Sequence, residues 1–120
     1  MMSDIATLEA ILKEIERLDG VSDAMLVART GQYIAGQVPE GAYQDIFVAM
    51  VAILLGAAET ATNEMKDRLE DVVIHLERSK IIIVNDGPKA LFVLNAAKTA
   101  DTAALRAKVA SFLPRIEENL

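Results

Sequence analysis

The stretch with the spacing of a chemical motif is Gly31-Gln32-Tyr33-Ile34-Ala35-Gly36-Gln37-Val38, whose glycines stand as they do in a phosphate-binding loop. Such a loop needs a lysine to reach the phosphates and a hydroxyl to hold magnesium. This chain has Gln37 and Val38 at those places. The segment also reads as a strand and does not open a helix, so a hairpin strand is the better reading. The single histidine lies in Val73-Ile74-His75-Leu76, with no cysteine anywhere in the chain. Zinc usually takes at least three protein ligands, and a general base needs a positioned partner; the sequence gives His75 neither. A structural or interface histidine is expected. Asp4, Glu14, Glu64, Asp67, Glu70 and Asp71 are candidates for paired carboxylates. Most stand beside Lys or Arg in helix-surface patterns, as Glu64 does with Arg68 four residues on, so a solvated face explains them. Met25, Met50 and Met65 read as adaptable core or interface filling. No catalytic residue, cofactor site or metal site is expected.

Composition points the same way. The 120 residues carry 12 Lys plus Arg against 18 Asp plus Glu, a net charge of −6, which repels phosphate backbones and anionic lipid. Nucleic acid is therefore not an expected partner. With 52% hydrophobic residues and 25% charged ones the chain is a folding domain, and its length fits one. Absent cysteine excludes disulfides, thiolate metal sites and a cysteine nucleophile. Met1-Met2-Ser3-Asp4 has no basic or apolar leader pattern, and Glu117-Glu118-Asn119-Leu120 forms no prenylation box. The longest apolar run, residues 46–58, is shorter than the roughly 20 residues a bilayer span needs. A cytoplasmic protein without direct membrane insertion is expected.

The elements follow from periodicity. Ile5, Leu8, Leu12, Ile15 and Leu18 fall at helical spacing, with Ser3 or Asp4 as N-cap and Gly20 as the stop. Residues 24–28 and 32–35 are strand-like, and Arg29-Thr30-Gly31 is the turn between them. A long helix is expected over residues 42–69. Its large apolar side chains cover about 200° of surface, twice the stripe that one sheet requires. Ile46, Met50 and Ile53 lie near one edge of that arc, and Phe47, Val51, Leu54 and Leu55 fill the rest. The other side carries Asp45, Ala52, Gly56, Glu59 and Asn63, small and polar. Three short strands follow, residues 72–76, 81–84 and 90–94. Turns at Arg78-Ser79 and Asn85-Asp86-Gly87-Pro88 join them. Ile81-Ile82-Ile83-Val84 does not alternate, so both its faces should be covered. A last helix, residues 102–113, starts at Asp101, and Pro114 kinks or ends it. The order α-β-β-α-β-β-β-α with hairpin strands makes a three-layer α/β/α sandwich around a five-stranded antiparallel sheet.

Several local patterns are those of a known family. Leu8-Glu9-Ala10-Ile11-Leu12, Leu18-Asp19-Gly20-Val21, the run Ala24-Met25-Leu26-Val27-Ala28-Arg29-Thr30-Gly31-Gln32-Tyr33-Ile34-Ala35, and Ala49-Met50-Val51-Ala52-Ile53-Leu54-Leu55-Gly56 carry the likeness. Together with the element order they resemble the Roadblock family, which includes dynein light chains, bacterial Mgl-type polarity regulators and archaeal relatives. Members often enter the last helix with an Asn-Leu-Gly-like sequence, where this chain reads Asp101-Thr102-Ala103.

The resemblance implies a homodimer, or a heterodimer with a sister Roadblock-like domain, in which long helices pair and third strands join two sheets. It further implies binding or regulation of a Ras-like small GTPase, or a platform for signalling or motor complexes. On that basis Phe47, Val51, Leu54, Leu55, Ala58, Val72, Ile74 and Leu76 are the expected dimer interface, and Asp45, Ala52, Gly56, Glu59 and Asn63 the expected partner platform. The alternative is a purely structural dimerisation module with no GTPase partner.

Overall fold

A computed structural model describes residues 4–120, so Ser3, the alternative cap of the first helix, lies outside the described residues. Asp4 does the capping. Its carboxylate accepts from the Thr7 amide at 3.1 Å and the Thr7 hydroxyl at 2.8 Å, opening α1 (Ile5–Glu16). One face of α1 buries Leu8, Ile11, Leu12 and Ile15, while Ile5 stays outside. The chain then forms β1 (Val21–Ala28), turns at Gly31 and returns as β2 (Tyr33–Gly36). Gly31 sits at φ 91° and donates to the Ala28 carbonyl at 2.8 Å, a conformation that favours a residue without Cβ.

The long helix α2 (Gln44–Glu64) is followed by β3 (Asp71–His75), β4 (Ser79–Asp86) and β5 (Ala90–Ala97). The chain closes with α3 (Thr102–Ala110) and α4 (Leu113–Glu118). All pairings are antiparallel, in the order β2-β1-β5-β4-β3, which leaves β2 and β3 at the edges. Leu8, Ile82, Phe92, Leu94, Val109 and Ile116 belong to the core between the sheet and α1, α3 and α4. Val48, Val51, Leu55, Ile81, Ile83 and Val93 belong to the core beneath α2. The isoleucine-rich strand β4 feeds both cores alternately, and that explains its unbroken apolar run.

Most strand boundaries shift by one to three residues from the sequence reading, and the larger differences have physical reasons. β4 and β5 run past their apolar centres because the ladder continues from Ser79 opposite Ala97 to Asp86 opposite Ala90, pairing backbones whatever the side chains. The expected last helix is two helices; Pro114 lies in the first turn of α4, where its missing N–H costs nothing, and so starts a helix instead of ending one. α2 stops at Glu64, short of residue 69. There Lys66 takes φ 55°, its N–H donating to the Asn63 carbonyl at 3.0 Å and the Asp67 N–H to the Thr62 carbonyl at 3.4 Å, a Schellman closure. Arg68 consequently lies outside the helix. Among the described residues no ion pair joins it to Glu64, so the expected helix-surface pair is not made.

Candidate functional site

The over-wide apolar arc of α2 resolves into two stripes. Val48, Val51 and Leu55 face the sheet and are buried, with Phe47 and Ala52 packed beside them. On the solvent side Ile46 (64% exposed), Met50 (50%), Ile53 (60%) and Leu54 (43%) stand in a row that the described residues leave uncovered. Four large apolar side chains in contiguity exceed the scattered exposure that any surface tolerates. By length and composition α2 is apolar enough to cross a membrane. Its inner stripe is already committed to the sheet, however, so the unfilled requirement is one flank.

The second open feature is the edge strand β3. It is fastened at both ends. At its start the Arg106 guanidinium of α3 meets Asp71 at 2.6 Å and Glu70 at 3.4 Å. At its end the Lys98 ammonium donates to the carbonyls of Leu76 at 2.9 Å and Glu77 at 3.3 Å. Between these clamps Val72 and Ile74 rest half-buried on the core beneath α2, while Leu76 is 45% exposed. The outer backbone edge of β3 faces no strand among the described residues. Open edge and bare helix flank therefore occur on one side of one sheet, both apolar and both in need of cover.

The small and polar side of α2 has a different use. Ala52 packs against the β1–β2 turn: a Cβ built on Gly31 would stand 3.4 Å from the Ala49 Cα and 3.9 Å from the Ala52 Cβ. Small residues there let the turn approach the helix. Glu59 takes both prongs of the Arg29 guanidinium at 2.8 Å each, and Arg29 also donates to the Asn85 side chain at 2.6 Å and the Gly87 carbonyl at 2.9 Å. The hydrogen-bonded guanidinium holds the Glu59 carboxyl below its ordinary value and is itself held above its own. This network ties the second half of α2 to the ends of β1 and β4.

The pattern of the Roadblock/LC7 domain matches residues 7–96. The chain belongs to the Roadblock/LC7 family. This Roadblock/LC7 domain is 35% identical over 92 residues to the uncharacterized protein MJ0714 of Methanocaldococcus jannaschii, covering 76% of this chain and 78% of that one. Among solved structures it is similar to the gliding protein MglB of Thermus thermophilus, with 27% identity, TM-score 0.78, and coverage of 96% of this chain and 91% of that one. It is also similar to an MglB described as having a tetrameric arrangement, again at 27% identity, with TM-score 0.77 and coverage of 96% and 90%.

Within this Roadblock domain the expected interface residues separate. Val51 and Leu55 are 2% and 0% exposed, so they are core residues and are not available to a partner. Phe47 is packed largely against the same core, and Ala58 is half-buried. Leu54 lies on the outer flank, and Val72, Ile74 and Leu76 line the open edge. Ile46, Met50 and Ile53 are not among the expected interface residues, although each is at least half exposed on the outer flank. Periodicity showed two apolar flanks and could not tell which one faces the sheet. Of the expected partner platform, Ala52 is occupied by the turn and Glu59 by Arg29, while Asp45 and Asn63 are exposed and Gly56 faces open space. His75 ends β3 in an exposed position opposite Lys80. Met25 is core, whereas Met50 and Met65 are exposed.

Proposed function

We propose that this Roadblock/LC7 domain is a non-enzymatic, cytoplasmic docking protein that pairs with a second copy or a sister domain and receives a Ras-like small GTPase. The observation that carries the reading is the uncovered row Ile46, Met50, Ile53 and Leu54 on α2, on the same side of the sheet as the open strand β3. A second copy would cover both with matching chemistry: apolar flank on apolar flank and strand edge on strand edge. The tetrameric arrangement described for an MglB at 27% identity supports association as the mode of action. The small-GTPase partner rests on family membership, since Roadblock relatives are regulators or platforms for such proteins.

Non-enzymatic action is supported by the phosphate-loop look-alike. Gly31 forms a hairpin turn and Gly36 ends an edge strand, so no run of amides at a helix start cradles a phosphate there. The deciding experiment is capture of partners on the purified, immobilised protein with GDP and then a GTP analogue. A small GTPase retained in one nucleotide state supports the proposal. Self-association with no nucleotide-dependent partner would leave the purely structural dimerisation module.

A further inference from the structure

The side chain of Asp86 closes β4 on the sheet face covered by α1, α3 and α4, and is 2% exposed. Neither of its carboxylate oxygens meets an N–H or hydroxyl donor among the described residues. Glu117 of α4 reaches over it within hydrogen-bonding range, and its Oε1 stands 3.1 Å from where a Cβ on Gly87 would be. Asp86, Pro88, Lys89, Glu117 and Leu120 wall a cavity of about 230 Å³ at this end of the sheet. Two touching carboxylates, one of them buried, do not both stay ionised without a compensating charge. Calcium takes six to eight oxygen ligands, and among the described residues no third acidic or imidazole side chain joins the pair. A proton needs no further ligand.

We propose that Asp86 and Glu117 share one proton, and that this proton latches α4 over the end of the sheet. Burial, followed by repulsion from Glu117 and the hydrogen bond with it, pushes the Asp86 carboxyl from 3.8 up to about 7. Among the described residues none of the surrounding cationic groups forms an ion pair with either carboxylate. Arg115 of α4 is paired with Glu14 of α1 at 2.9 Å, Asp4 caps α1, and Arg29 approaches the turn from the other side, bound to Glu59. Lys89 lines the same cavity but is exposed, as is Glu118, and neither forms an ion pair among the described residues.

When the proton leaves, the movable partner is α4. Asp86 is paired with Ala90 in the ladder, and the Gly87 carbonyl is held by the Arg29 Nε at 2.9 Å. α4 has six residues and a single buried side chain, Ile116, and the Asp4 N–H donates to the Asn119 carbonyl at 2.9 Å. The sign follows from a folded-state value raised above the unfolded one: the latch is complete below about pH 4 and is lost as pH rises through about 7.

Hydrogen exchange of residues 113–119 in the full chain, corrected for intrinsic rates and referenced to core amides of β5, reads the latch between pH 5.5 and 8.5. The expected result is a fall in α4 protection of about tenfold per pH unit up to about pH 7, levelling off above it, while the core stays protected. Asp86→Asn should hold α4 protection level across the range. Glu117→Gln, an exposed position that leaves the core intact, should move the fall to lower pH by removing the repulsion. Flat wild-type protection, or an unchanged fall in Asp86→Asn or Glu117→Gln, overturns the proposal. Recovery of α4 protection at pH 8.5 on adding millimolar calcium also overturns it, because the pair would then be a cation site.

Discussion

Arg29 and Glu59 meet in a two-pronged ion pair, 2.8 Å on each arm, across 30 residues of sequence. The pair joins the residue that leaves β1 to the second half of α2, and through Asn85 and the Gly87 carbonyl the same guanidinium holds the β4–β5 turn. The inner stripe of α2 fixes which face meets the sheet. Arg29 fixes how the helix lies along it, and so where its outer flank is presented.

Breaking this pair should loosen α2 without unfolding the sheet. Each partner's side chain is 27% exposed, so solvent screening limits the coupling to about 1 kcal/mol. A double-mutant cycle of Arg29→Met and Glu59→Gln, read by urea unfolding, measures it. Because the Glu59 carboxyl is held below its ordinary 4.5, its contribution is complete above that value and declines as pH falls below it. The coupling should therefore fade as pH falls below 4.5 and show no slope at neutral pH.

Lys66 is a non-glycine residue at positive φ, closing α2 in the position that glycine usually takes. Relief of the Cβ strain outweighs the extra freedom gained in the unfolded chain, so Lys66→Gly should stabilise the domain by about 0.5–1 kcal/mol. Thermal unfolding of the variant beside the wild type checks this. A loss of stability would mean that the Lys66 side chain contributes more than its conformation costs.

The same residue shows why part of the fold was illegible. Apolar spacing identified each strand and α1, α2 and α3, because burial on two sheet faces leaves a period in the sequence. The end of α2 was missed because its stop is made by a lysine, and propensity assigns lysine to helices. The site was half legible for a related reason. Val51 and Leu55 are indistinguishable by type from Ile53 and Leu54, and only packing decides which pair faces the sheet. The strand through Val72 and Ile74 was legible because a short apolar strand before a tight turn is readable locally, whereas its expected place at the sheet edge came from the family resemblance. The Asp86–Glu117 contact, linking residues far apart in sequence, left no local signal.

The open edge of β3 gives a directional test. Ile74 pairs with Ile81 on one side and faces no strand among the described residues on the other. Ile74→Pro removes a backbone donor and narrows the strand's conformations, so it should weaken self-association at least tenfold, with some cost to the β3–β4 hairpin. Gln32→Pro is the control, being exposed at the turn before β2, the opposite edge. It should leave association unchanged. Sedimentation of both variants, with circular dichroism to confirm folding, gives the answer, and a folded Ile74→Pro that associates normally would exclude β3 from the interface.

The two stripes of α2 predict opposite consequences for neighbouring substitutions. Leu55 is fully buried against the sheet core, so Leu55→Ala should cost about 2–5 kcal/mol of folding stability through lost transfer energy and a residual cavity. Ile53 is 60% exposed in the single chain, so Ile53→Asp should change the stability of the isolated domain by no more than about 0.5 kcal/mol. In an assembled pair the same aspartate would enter an apolar seam with no partner for its charge, and association should fall by at least a hundredfold. Light scattering over a concentration series reads the mass, and denaturant unfolding well below the association midpoint reads the intrinsic stability. A mass that doubles with concentration in the wild type and remains that of one chain in Ile53→Asp, with unfolding unchanged, assigns the outer stripe to the seam. A wild type that keeps the mass of one chain at tens of micromolar would leave Ile46, Met50, Ile53 and Leu54 to a different protein.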